Sequence, residues 1–438
     1  MSTFSPTLFE GKRYAVVGLG KNGLPAALAL QAMGADVVAW DDNPAARAAA
    51  AGLDLRDPAE GTFDFDALVL SPGIPHLLPK PHPVAQRATR AGVPILSDVE
   101  LLFRAVRASG SRARFAGITG TNGKSTTTAL LAHILERAGL PVAAGANLGP
   151  AALSLPLLPH HGVYVLEMSS YMLERIASVR FDAAVMLNLS ADHIDRHGDM
   201  AGYAVAKRAI FDRQTREDLA VVGVDDAGSR DMAAWLEARP ASVVRVSGTE
   251  VPLAAGPALP GAHNAQNAAA ATAMARFFGV PEDVIASGLL SYPGLPHRQQ
   301  RIVTVDGVTF INDSKATNAD ASERALVCYD RLIWIAGGMA KEGGIEPLVP
   351  LFPRIARALL IGRDAPAFAA TLTRHGVRFD MAGTLEAAVP AAFAAAKADD
   401  APIVLLSPAC ASWDQFTGYD QRGDRFAELA LGLRAEGV

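Results

Sequence analysis

The stretch Gly117-Ile-Thr-Gly-Thr-Asn-Gly-Lys-Ser-Thr126 decides how this chain is read. An apolar run at 114–118 leads into it and a helical pattern leaves it near Lys124, so a strand, a glycine-rich turn and a helix follow one another. Glycines let backbone N–H groups converge on phosphate oxygens without Cβ clashes, and the helix entrance adds its dipole and free amides. Lys124 can reach β- and γ-phosphates, and the Ser125 hydroxyl can ligate Mg²⁺. The fit to G-x-x-x-x-G-K-[ST] is not strict: Ile118 stands five residues before Gly123, and the nearest glycines are Gly117 and Gly120. The loop indicates a nucleoside triphosphate and leaves open what is done with it.

Outward from the loop, strands and helices alternate. On the N-terminal side, 13–18, 36–40 and 65–70 read as strands and 24–33 as a helix. On the C-terminal side, 164–166 and 183–189 read as strands of the loop's own sheet, and Pro293-Gly-Leu-Pro296 punctuates the chain. Beyond it, 301–305, 309–311, 332–336, 358–361 and 403–406 are strand candidates, and the alanine-rich 387–396 a helix. The expectation is an α/β protein of three domains: a Rossmann-like domain at 1–98, a central P-loop ATPase-type domain with a parallel sheet at 99–298, and a Rossmann-like domain at 299–438.

Composition narrows the class. With 438 residues the chain exceeds one compact core, and 19% charged against 50% hydrophobic residues is a globular balance. A net charge of -5 gives no reason to expect nucleic acid. Two distant cysteines, Cys328 and Cys410, fit a reducing compartment. Neither a signal peptide nor a run of 18 apolar residues is visible, so a soluble cytoplasmic protein without a membrane partner is expected.

The loop variant Thr119-Gly-Thr-Asn-Gly-Lys-Ser-Thr-Thr resembles that of the Mur ligases and folylpolyglutamate synthetases. Further stretches resemble the glutamate-adding Mur ligases and occur in their order. These are Leu70-Ser-Pro-Gly73, Glu167-Met-Ser-Ser170, Leu187-Asn-Leu-Ser-Ala-Asp-His-Ile-Asp-Arg-His-Gly198, His263-Asn264 with Asn267, Gly294-Leu-Pro-His-Arg298, Asn312-Asp-Ser-Lys-Ala-Thr-Asn318 and Leu406-Ser-Pro-Ala-Cys-Ala-Ser-Trp-Asp-Gln-Phe416. The Asp-Asn-Pro-Arg signature expected of the diaminopimelate-adding relatives is absent. The resemblance implies a peptidoglycan-synthesis enzyme that phosphorylates the alanyl carboxylate of UDP-N-acetylmuramoyl-L-alanine with ATP and lets the amine of D-glutamate attack the acyl phosphate.

It also implies site residues. Gly120, Thr121, Asn122, Gly123, Lys124, Ser125 and Thr126 would hold ATP, with Asn264 and Asn267 near its adenosine and Arg298 and Asp313 meeting it from the third domain. Ser125, Glu167, His193 and Lys207 would hold Mg²⁺ in two sites, Lys207 as a carbamate formed with CO₂; Lys124, Lys207, His193 and Glu167 form the catalytic group. Gly20, Lys21, Asn22, Asp41, Gly73, Asn147 and Ser169 would bind the UDP-linked substrate, and Lys315, Thr317, Lys341, Ser412 and Tyr419 the glutamate. A monomer that closes on ATP is expected. Taken singly, Glu167 is a strand-end carboxylate, His193 a loop histidine and Lys207 a helix lysine.

Two positions depart from the family's pattern: Met172 where glutamine is expected, and Tyr419 where a phenylalanine flanks the glutamate pocket. Two alternatives stay open. Gly18-Leu-Gly-Lys-Asn-Gly23 fits G-x-G-x-x-G, whose default ligand is a dinucleotide, so a nicotinamide-dependent oxidoreductase is the rival class. The third domain favours glutamate, but no local motif reports D against L, so the same chemistry with L-glutamate or another Mur-type amino acid is the second alternative.

Overall fold

The computed structural model describes residues 3–249, 256, 258–340 and 343–435. They form two compact units. The first takes residues up to 255 together with Ala262–Ser291; the second takes Gly256–Gly261 and the chain from Tyr292 onward.

The first unit holds two sheets. One consists of β1 (Arg13–Val17), β2 (Asp36–Trp40), β3 (Asp54–Leu55), β4 (Ala67–Leu70) and β5 (Ile95–Leu96), in the order β3-β2-β1-β4-β5 and parallel throughout. The other consists of β6 (Arg114–Thr119), β7 (Val142–Ala146), β8 (Val163–Glu167), β9 (Ala183–Met186), β10 (Leu219–Gly223) and β11 (Ser242–Val246), in the order β11-β10-β9-β6-β8-β7 and also parallel. Period-2 alternation with both faces covered explains why β1 is apolar from Tyr14 to Val17. Tyr14 and Val16 enter a core cluster that runs on through Leu102, Phe115, Tyr164 and Ala220, whereas Ala15 and Val17 pack against Leu68, Val84 and Ala88. That shared cluster takes in residues on both sides of position 98.

The second unit holds a six-stranded sheet: β12 (Gln300–Val305), β13 (Val308–Asn312), β14 (Leu332–Gly337), then, after the short β15 (Met339–Ala340), β16 (Ile355–Ile361), β17 (Phe379–Gly383) and β18 (Ile403–Leu406). The order is β12-β13-β18-β14-β16-β17, with only β12 and β13 antiparallel. β15 pairs separately with β19 (Cys410–Ala411). Both faces of β14 are covered: Ile333 and Ile335 on one side, Leu332, Trp334 and Ala336 on the other. Among the described residues no helix is long and apolar enough to cross a membrane.

The helix Asp98–Ala108 opens with a carboxylate sealed in the core. Asp98 Oδ2 accepts the Ala152 N–H at 2.8 Å, yet burial pushes the pKa from 3.8 up to about 6, since that bond and the Asn22 side chain only partly offset the lost hydration. A folded-state value above the unfolded one gives stability that is present below pH ~4 and lost as pH rises through ~6; two units correspond to about 3 kcal/mol. Asp98→Asn is therefore expected to flatten the pH dependence of stability between pH ~4 and ~6 relative to wild type, read from urea midpoints. Parallel profiles for the two proteins would show that the carboxyl does not titrate as described.

Candidate active site

In open parallel sheets, ligands bind beyond the carboxyl ends of the strands where the strand order reverses. The phosphate loop leaves β6, Glu167 ends β8, and the 187–198 segment follows β9, so three neighbouring strand ends deliver these groups to one edge. Gly123 precedes the helix Lys124–Arg137 with φ 83°, and a Cβ there would stand 2.3 Å from Asn267 Oδ1. Asn267 also donates to Asn264 Oδ1 at 3.1 Å, so both asparagines share the face of the helix Ala262–Phe277 that lies against the loop. Ser125 is buried and Thr126 half-buried. Lys124 Nζ folds over its own loop, donating to the carbonyls of Gly120 and Thr121 at 2.9 and 2.8 Å.

The loop is also held from outside. Asn188 Oδ1 accepts the Asn122 N–H at 2.8 Å and its Nδ2 returns a bond to the Asn122 carbonyl at 3.1 Å, while Thr121 Oγ1 donates to the Ser190 carbonyl. Asn188 lies inside the quoted 187–198 motif but was not singled out from sequence.

Glu167 is 2% exposed. Its Oε1 accepts from Asn147 Nδ2 at 2.7 Å, and Oε2 is buried without a hydrogen-bond partner. An orphaned buried carboxylate oxygen fits a cation. Among the described residues no three His, Cys, Asp or Glu side chains gather into a cage. His193, with φ 53°, is exposed, lies 3.4 Å from Asp192 and packs its ring on Tyr171 at 4.9 Å.

Lys207, on the helix Met200–Arg208, is 1% exposed. Its Nζ donates to the Gly120 carbonyl at 2.9 Å and Thr119 Oγ1 at 3.3 Å, and sits 4.6 Å from the Tyr203 ring centre. Burial first, and the Lys124 charge second, hold its pKa well below the usual lysine range.

At the switch point of the first sheet, beyond β1 and β4, lies a cavity of about 460 Å³ whose lining includes Gly20, Lys21, Asn22, Asp41, Gly73 and Asn147. A Cβ on Gly23 would lie 1.7 Å from the Gly18 carbonyl oxygen, which is why the turn needs glycine there. Asp41 accepts the Leu19 N–H through Oδ2 and the Asn43 N–H through Oδ1, so its carboxylate shapes the glycine loop. His82 and Asp42 line the same cavity, paired at 3.1 Å, and sequence reading missed both. Ser169 does not line it; its hydroxyl accepts the Met172 N–H at 3.3 Å. Met172 is buried in the apolar core.

The second unit carries the remaining candidates. Asp313 is buried; its carboxylate accepts from Ser407 Oγ at 2.8 Å and the Gln299 N–H at 3.2 Å, and burial pushes its pKa to about 7. The Arg298 charge opposes that rise, so the two lie in one electrostatic neighbourhood. Lys315 Nζ stands 5.1 Å from the Tyr419 ring centre, the Thr317 N–H bonds the Lys315 carbonyl, and Ser412 is buried. Lys341 lies outside the described residues.

Comparison with known proteins completes the picture. Residues 118–254 match the model of the Mur ligase middle domain and residues 297–410 that of the Mur ligase glutamate ligase domain. The chain is 52% identical to the UDP-N-acetylmuramoylalanine--D-glutamate ligase of Paramagnetospirillum magneticum, over 99% of each chain. It is 48% identical to the protein of that name in Rhodospirillum rubrum, over 97% of this chain and 95% of that one. In fold it resembles the UDP-N-acetylmuramate-alanine ligase of Thermotoga maritima, with a TM-score of 0.58 at 17% identity over 96% of this chain and 99% of that one. Phosphate loop, buried carboxylate and full-length identity agree: the chain belongs to the Mur ligase family.

Proposed function

We propose that this chain joins D-glutamate to UDP-N-acetylmuramoyl-L-alanine at the expense of ATP, giving UDP-N-acetylmuramoyl-L-alanyl-D-glutamate, ADP and phosphate for peptidoglycan synthesis in the cytoplasm. The observation that carries the reading is the 52% identity, over 99% of both chains, to a protein named for that reaction. In this reading 1–98 binds the UDP substrate, 99–298 binds ATP, 299–438 binds glutamate, and the chain works as a monomer.

A carboxylate is a poor electrophile because it is already anionic; transferring the γ-phosphoryl group to it creates an acyl phosphate with a good leaving group. The first step therefore needs positioning and charge neutralisation between two anions. Lys124 and the amides of the loop hold the phosphates. Asn147, by bonding Glu167 and lining the cavity at the first sheet, links the carboxylate that would hold Mg²⁺ to the substrate's alanyl end. Bound Mg²⁺ supplies neutralising charge at the transferring phosphoryl group. Ser125 and His193 would join Glu167 as its ligands. A buried lysine amine that is neutral can take up CO₂ as a carbamate, and the burial of Lys207 beside the loop supports that modification there, making it a carboxylate-like ligand to a second Mg²⁺. Lys315, Thr317, Lys341, Ser412 and Tyr419 would hold the two carboxylates of glutamate so that its amine is left to attack.

The route predicts the fate of one oxygen. With ¹⁸O in the alanyl carboxylate, one labelled oxygen is expected in each phosphate released, because the carboxylate oxygen that takes the phosphoryl group leaves with it. Unlabelled phosphate beside a fully labelled substrate pool would rule out the acyl phosphate.

A further inference from the structure

In the second unit, the helix Tyr419–Ala435 places Arg422 one turn from its start, with the side chain 1% exposed. Its Nε donates to Ser314 Oγ at 2.9 Å, and its Nη2 donates to the Ser314 carbonyl at 2.7 Å and the Cys410 carbonyl at 3.1 Å. Nη1 faces Gly338, 3.4 Å from where a Cβ on that glycine would stand, and is buried without a hydrogen-bond partner. One guanidinium thus bonds two segments and lies beside a third. The first carries Lys315 and Thr317, the second continues from β19 to Ser412, and the third leads through β15 toward Lys341. The second and third are further tied as a ribbon, Met339 opposite Ala411. Ser314 Oγ donates in turn to the Tyr419 carbonyl at 2.7 Å, which returns the network to the aromatic residue at the helix start.

Every acceptor of this arginine is a hydroxyl or a carbonyl; among the described residues no carboxylate pairs with it. Burial of this cation is opposed only in part by the nearby Asp414 charge, and an anion arriving nearby offsets more of the cost. Resting on the ligase reading above, we infer that Arg422 is the positioning residue of the amino-acid pocket. It fixes the loops that carry the glutamate-binding groups and lends their pocket a fixed positive charge, which favours a dicarboxylate over a neutral amino acid.

The test is steady-state kinetics of wild type, Arg422→Lys and Ser314→Ala, varying ATP, the UDP-linked substrate and D-glutamate in turn. Lysine keeps the charge but cannot span both bonded segments, and alanine at 314 removes one acceptor while sparing the arginine. The KM for D-glutamate is expected to rise about tenfold or more in Arg422→Lys and about threefold in Ser314→Ala, with the other two KM values within about twofold. An unchanged KM for D-glutamate, or a parallel rise of all three, overturns the inference; should Arg422→Lys not fold, Ser314→Ala decides it alone. Wild-type protein that releases no phosphate in response to D-glutamate would instead remove the ligase reading, and this inference with it.

Discussion

Lys124→Ala is expected to lower kcat by about a hundredfold to a thousandfold while leaving the fold intact. The scale follows from removing one preorganised charge from a transferring phosphoryl group, which costs about 3–4 kcal/mol, at about 1.4 kcal/mol for each tenfold. The native fold loses little, because Lys124 Nζ bonds two carbonyls of its own loop, and its side chain is half-buried at the entrance of its helix. A melting temperature within a few degrees of wild type, beside a loss of turnover of that order, is the expected pair of results. Turnover within tenfold of wild type would mean that the lysine does not meet the phosphates.

Lys207 gives the second large effect, through different chemistry. Wild-type activity is expected to fall when CO₂ and bicarbonate are stripped from the buffers and to return when bicarbonate is added. Lys207→Met is expected to lose activity by about a hundredfold or more and to ignore bicarbonate. Because a buried amine bears a desolvation cost that methionine does not, the variant should melt no lower than wild type. Equal activity of variant and wild type would remove the carbamate; a variant that is inactive while the wild type stays indifferent to CO₂ would leave the lysine a plain phosphate contact.

Most of the fold was legible in the sequence because its signals are local. The turn at 117–126 and the apolar runs of β1, β6, β14 and β18 are contiguous, and each announces a buried parallel strand by its own composition. β3 and β5, two residues each, carry no readable period. Local motifs named the segments that the structure gathers at the ends of β6, β8 and β9, whereas Ser169, named in the same way, does not line the cavity of the first sheet. The site was opaque wherever a residue acts through a distant partner: Asn188 reaches across 66 positions to Asn122, His82 across 40 to Asp42, and Arg422 across 108 to Ser314. Arg175 is a further case. Its buried guanidinium bonds the carbonyls of Leu70, Ser71 and Ile74 and so fixes the loop that presents Gly73 to the cavity. No periodicity reports such a bond, since it exists only once the two segments have folded together. The oxidoreductase alternative rested on the glycine loop alone. Asp41, the residue such an enzyme would turn toward a ribose, spends both carboxylate oxygens on backbone N–H groups.

The most direct test of the central claim is phosphate release by the purified protein with Mg-ATP and UDP-N-acetylmuramoyl-L-alanine, offered D-glutamate, L-glutamate or no amino acid. The account predicts release with D-glutamate and a product heavier than the UDP-linked substrate by one glutamyl residue. Release with L-glutamate alone, or none with either enantiomer, would contradict it.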